Sequence, residues 1–233
     1  MGWVDISINA YRLVISLKRH PKIFHKMKKN YFTIISILLV LFSIIGFSDN
    51  LLFDVKQPSN SDPKFIVHGL FMFAWFIILL VQTNFIRKGN YKVHIGWGTA
   101  GMIAATGTVL STFYVFATVY KGWNVMPFYV KANRLLMPSF ALYVWLGYKN
   151  RKKPILHKHY LFIGSFFLLE PILSRFPLDI LSDSAFYIFL FSVWNMFFLS
   201  FFVYDWIVYK KIHRIVWMSY LWLYVVYAIS IAI

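Results

Sequence analysis

Seven long apolar runs, separated by short polar connections, constrain this chain more than any other feature. They are Tyr31 to Phe47, Phe65 to Ile86, Ile95 to Tyr120, Met126 to Tyr148, Tyr160 to Phe176, Ala185 to Tyr209 and Ile215 to Ile233. At about 1.5 Å per residue, roughly 20 apolar residues cross a hydrocarbon core about 30 Å thick. Inside lipid every backbone N–H and C=O needs an internal partner, so runs of this length are expected to be helices, and no strand-like alternation of polar and apolar residues competes with that reading. The expected fold is an all-α bundle of seven transmembrane helices. The composition agrees: 60% of the 233 residues are hydrophobic and only 14% are charged, well outside the range of a soluble domain.

The few charges report orientation. Arg12, Lys18, Arg19, Lys22, Lys26, Lys28 and Lys29 precede the first run. Further basic clusters fill the second-to-third connection (Arg87, Lys88, Lys92), the fourth-to-fifth (Lys149, Arg151, Lys152, Lys153, Lys158) and the sixth-to-seventh (Lys210, Lys211, Arg214). The alternate connections hold most of the acids, Asp49, Asp54, Asp62, Asp179 and Asp183. Basic residues are retained on the cytoplasmic side, which places the N-terminus in the cytoplasm and the C-terminus outside, in the inner (plasma) membrane. The net charge of +16 is then a face directed at anionic lipid, and no nucleic-acid recognition module accompanies it. Residues 1–30 read as a basic leader, with WVDISINAYRLVISL at approximately helical spacing, and 31–233 as one transmembrane domain.

With no cysteine in the chain, thiolate metal sites, disulfides and cysteine nucleophiles are excluded, so any metal chemistry uses histidine and carboxylate. Three histidines stand where a basic turn gives way to an apolar run: His94, His157 and His213. In a bundle they share one depth near the cytoplasmic leaflet, joined by Asp205 from the end of the sixth run and Gln82 from the end of the second. Imidazoles with a carboxylate suit zinc, iron or copper, with haem as the second choice of cofactor. His159, two residues beyond His157, faces another side of its helix. The competing reading is structural: histidine sits readily at an interface, and neither HExxH nor a multiple-histidine desaturase pattern is present.

A second polar group lies toward the outside. His68, Arg134, Glu170, Arg175 and Asn195 interrupt apolar runs, where ionisable groups are costly and face partners or cavities. Arg134 and Glu170 are expected to pair, and Pro138 and Pro171 to distort their helices. This region supports an alternative reading as a transporter or small-solute permease with a midplane pocket. A third reading is an assembly protein without a site.

The segments HGLFMFAWFIILLVQTNFIRKGNYKVHIGWG, HKHYLFIGSFFLLEPILSRFP and VYDWIVYKKIHRIVW resemble a family of uncharacterised bacterial polytopic inner-membrane proteins. His68, Trp75, Gln82, His94, His157, Arg175, Asp205 and His213 match the family's pattern, while His159 stands where an arginine is more usual. The resemblance implies the topology and the relevance of these residues, with no activity attached, and it gives His159 the lesser weight as a ligand. The leading functional expectation is a membrane protein holding a metal ion through His94, His157, His213 and Asp205, acting on a small or lipidic substrate by redox or metal-dependent hydrolytic chemistry.

Overall fold

The computed structural model describes residues 21–48, 61–176 and 182–233; the amphipathic stretch expected at 3–17 and most of the connection between the first two runs lie outside them. The described residues form eight helices and no strand. They are α1 (Pro21–Gly46), α2 (Pro63–Arg87), α3 (Tyr91–Thr118), α4 (Phe128–Lys149), α5 (Pro154–Phe166), α6 (Leu169–Leu173), α7 (Asp183–Tyr209) and α8 (Arg214–Ala232). Local signals set several of the boundaries. Asp62 caps α2 by accepting from Lys64 N with Pro63 in the first turn, and Asn90 and Ser182 cap α3 and α7 through their side-chain oxygens.

Among the described residues five helices are long and apolar enough to cross a membrane: Lys28–Gly46 within α1, α2, α3, Ser184–Tyr209 within α7, and α8. The other two expected runs differ for visible reasons. α4 carries Lys131, Asn133, Arg134 and Lys149 among its apolar residues. The fifth run is not one helix but two, because Pro171 lacks the N–H that would bond the Phe167 carbonyl and its ring would collide with that carbonyl. The chain stops being α-helical at Phe167 and Leu168, which close tighter turns onto Gly164 O (3.1 Å) and Ser165 O (3.2 Å), and resumes as α6. The Phe166 carbonyl freed at the break is met by the indole N–H of Trp194, 1% exposed, at 2.9 Å. α4, by contrast, runs unbroken through its own Pro138.

The broken helix is the centre of the molecule. Packing contacts run α1 to α2 to α3 to α4 to α8 to α7 and back to α1, a closed ring, and α5 and α6 pack inside it against α1, α4, α7 and α8. Every residue from Phe162 to Glu170 is buried, as a helix surrounded on all sides requires. The core around it is aromatic: Phe166 meets Phe197 and Phe198, and Phe32 meets Phe162. Outward faces are apolar too, with Leu70, Ile95, Ile103, Leu110 and Ile188 exposed, which suits a hydrocarbon solvent. At the α1–α6 crossing Gly46 brings the backbones together, since a Cβ there would collide with the Ile172 carbonyl.

A candidate metal centre of two histidines and an aspartate

The turn from α7 to α8 assembles the site. α7 ends at Lys210 in the left-handed conformation (φ 56°), a common way to stop a helix, though glycine is the usual occupant. Three residues later His213 takes the N-cap position of α8 without capping it. Its backbone N–H and its Nδ1 both donate back to Asp205 Oδ2, at 2.9 and 2.8 Å. The other carboxylate oxygen, Oδ1, is 2.8 Å from Nε2 of His159 on the central helix. One donor atom each from His159, Asp205 and His213 lies within 4.8 Å of the other two.

This cluster is dry. His159 and Asp205 have no exposed side-chain surface, and the His213 side chain is 14% exposed. Phe201 stacks on the His159 ring at 4.8 Å, and Tyr209 stands edge-on to His213 at 4.9 Å. Between His157 and His159, Lys158 points to a third neighbour: its ammonium donates to the Tyr204 hydroxyl at 3.0 Å and sits over the rings of Phe32, Tyr204 and Tyr209. Asp205 is within electrostatic range of this cation. Burial of a carboxylate is tolerated only with charged and hydrogen-bonded partners, and here they are supplied from one helix and a turn.

The hydrogen-bond inventory of His159 constrains its chemistry. Its Nδ1 faces the Ile155 carbonyl at 2.6 Å while Nε2 faces the carboxylate. A neutral imidazole has one donor and one acceptor nitrogen, so with the Nδ1 proton given to Ile155 the contact between Nε2 and Asp205 holds either a proton, on one partner or the other, or a cation in its place. A ring N–H given to a backbone carbonyl is also the usual way a metal-ligating histidine is oriented.

The structure divides the four ligands expected from sequence. Asp205 and His213 come together, with His159, the residue given least weight, as their partner. His94 and His157 form a pair of their own, ring centroids 6.3 Å apart, outside the group of three. The physical reason is the central place of α5: residues two apart on a helix point about 200° apart, so His157 faces α3 and α4 while His159 faces α7 and α8. Lys158, Tyr204, Trp194 and Asn133 were not singled out by sequence, and only the HKH pattern carried a hint.

The outer group is dispersed. Glu170, 1% exposed, accepts from Asn133 rather than pairing with Arg134, whose guanidinium turns to the Phe116 carbonyl (2.8 Å) and the rings of Phe116 and Tyr120. Adjacent residues of α4 point about 100° apart, which separates these two roles. His68 contacts Ser111 and Thr112 of α3, and Arg175 lies over the Phe47 ring within electrostatic range of both His68 and Glu170. Asn195 donates to Phe191 O and accepts from Tyr220 and Tyr224, tying α7 to α8. Gln82 stands beside His94.

No family model, no curated protein and no solved structure matches this chain.

Proposed function

We propose that this is a seven-span membrane protein whose His159–Asp205–His213 cluster binds a transition-metal ion near the cytoplasmic leaflet. The observation that carries the reading is the convergence of two imidazoles and a buried carboxylate, from three separate elements, within 4.8 Å. Two histidines and one carboxylate are a donor set used for zinc and for non-haem iron, with positions left open for water or substrate. Tetrahedral ligands about 2.0–2.1 Å from an ion lie roughly 3.3 Å apart, so loading would expel the ring protons from the 2.8 Å bridges, lengthen the bridges by about half an ångström and draw the more distant donors, which lie within 4.8 Å, together. Once bound, an ion there would supply Lewis acidity or a redox couple. His159 would be held by Ile155 O, Asp205 by the His213 backbone N–H, and bulk water would be kept off by Phe201 and Tyr209.

The fourth and fifth crossings in this proposal are α4 and the broken α5–α6, with the N-terminus inside, the C-terminus outside, and the basic turns at anionic lipid. Membership of the family that the motifs resemble belongs to the same proposal. A second reading rests on the 2.8 Å bridges and the Lys158–Tyr204 bond: a proton relay serving transport, since buried ionisable groups in membranes commonly mark proton paths. The two separate experimentally. Protein purified in lipid nanodiscs and assayed by elemental mass spectrometry should hold about one ion per chain at this centre, lost in His159→Gln and His213→Gln. Full retention by both variants, or wild-type protein that takes up no zinc, iron or copper, removes the metal reading in favour of the relay.

A further inference from the structure

The His94–His157 pair has the features of a second site, on the opposite face of the same helix. His157 gives Nδ1 to the Gly147 carbonyl at 2.9 Å, the arrangement His159 makes with Ile155, which leaves Nε2 with its lone pair. The His94 ring faces the backbone carbonyl of Gln82, and its Nδ1 is buried without a hydrogen-bond partner. Gln82 Oε1, at the same corner of α2 and α3, is also buried and unpartnered. Buried polar atoms are rarely left unmade, because each forfeits its hydration for nothing. Two such atoms beside the His157 imidazole gather acceptor groups at one corner. All three accept, so they suit a cation or a hydrogen-bond donor.

Geometry narrows the class. An imidazole nitrogen sits about 1.1 Å from its ring centroid, so two rings on one ion at about 2.0 Å have centroids about 5.1 Å apart at a tetrahedral angle and about 6.2 Å apart when opposed. The observed separation is 6.3 Å, with the planes at 80°. We propose that His94 Nδ1 and His157 Nε2 hold a second transition-metal ion between nearly opposed imidazoles, with Gln82 Oε1 as a weak third donor. Opposed two-nitrogen ligation is a preference of monovalent copper, and imidazole serves copper, zinc, iron and nickel alike. Two ions on the two faces of one central helix make the protein a metal-handling membrane protein rather than one with a single resident centre.

The experiment counts ions. Full-length protein in nanodiscs is loaded separately with monovalent copper under reductant and with zinc, desalted, and measured for metal per chain. Wild type should retain two copper ions. His94→Gln and His157→Gln should each retain one, as should His159→Gln, and His94→Gln combined with His159→Gln should retain none. Wild-type copper content in both His94→Gln and His157→Gln overturns the second site. If His159→Gln loses nothing while His94→Gln loses one ion, the second site stands and the His159–Asp205–His213 proposal falls. For any variant that does not fold, copper-edge X-ray absorption on wild type decides. A short two-nitrogen component supports the pair, and its absence overturns it.

Discussion

Replacing Asp205 with asparagine tests the site at its most strongly bonded point. The carboxylate receives three donors, His159 Nε2 at 2.8 Å, His213 Nδ1 at 2.8 Å and His213 N at 2.9 Å, with no exposed side-chain surface. Asparagine keeps one acceptor oxygen and turns an NH2 group toward a ring N–H, removing the negative charge from between two imidazoles. Breaking one side of a buried pair costs about 3–5 kcal/mol, because the partner is left charged or unbonded in a dry place. The rings here are further sealed by Phe201 and Tyr209, so the upper half of that range is expected. Equilibrium denaturation of the metal-free protein in mixed micelles measures the loss. The triple variant His159→Leu, Asp205→Leu and His213→Leu provides the internal comparison: replacing all the paired side chains by apolar groups is often close to neutral, so it should be less damaging than Asp205→Asn alone. A loss under about 1 kcal/mol for Asp205→Asn, or a triple variant worse than the single, would refute the argument that these groups depend on one another.

Other consequences are open to the same assay. Trp194→Phe removes the donor to the Phe166 carbonyl at the helix break and should cost about 1–3 kcal/mol, the penalty for a buried acceptor left unmade; a neutral result would mean that water reaches the break. Gly46→Ala forces α1 away from the Ile172 carbonyl and should destabilise by about 1–3 kcal/mol, as overpacking does, whereas unchanged stability would place the two helices farther apart. Lys210→Gly relieves a left-handed non-glycine residue at the end of α7 and should stabilise by up to about 1 kcal/mol. A destabilised Lys210→Gly would show that the turn is held by something other than its backbone conformation.

What the sequence carried and what it lacked follow from the physics of the elements. Apolar runs with basic turns announce helices and their connections, because burial of apolar side chains acts on each segment alone. Pro171 marked the fifth run as distorted for the same local reason. The place of α5 inside a ring of six helices is a property of packing that no single-segment pattern records. With that unknown, His157 and His159 looked like one good ligand and one lesser candidate, when they serve opposite faces. Arg134 and Glu170 looked like partners by depth, yet Asn133 has the angle for Glu170 and Arg134 does not. Position along a helix is legible from sequence; azimuth around each helix becomes legible only when the neighbours are known.

The central claim is that an ion is held by His159, Asp205 and His213, and X-ray absorption at the zinc edge of zinc-loaded protein carrying His94→Gln tests it most directly, since that variant leaves one proposed centre. The account predicts a first shell of nitrogen and oxygen near 2.0 Å with outer-shell scattering from two imidazoles. That scattering should disappear in His159→Gln combined with His213→Gln. A shell of oxygen atoms alone, unchanged by those substitutions, would contradict it.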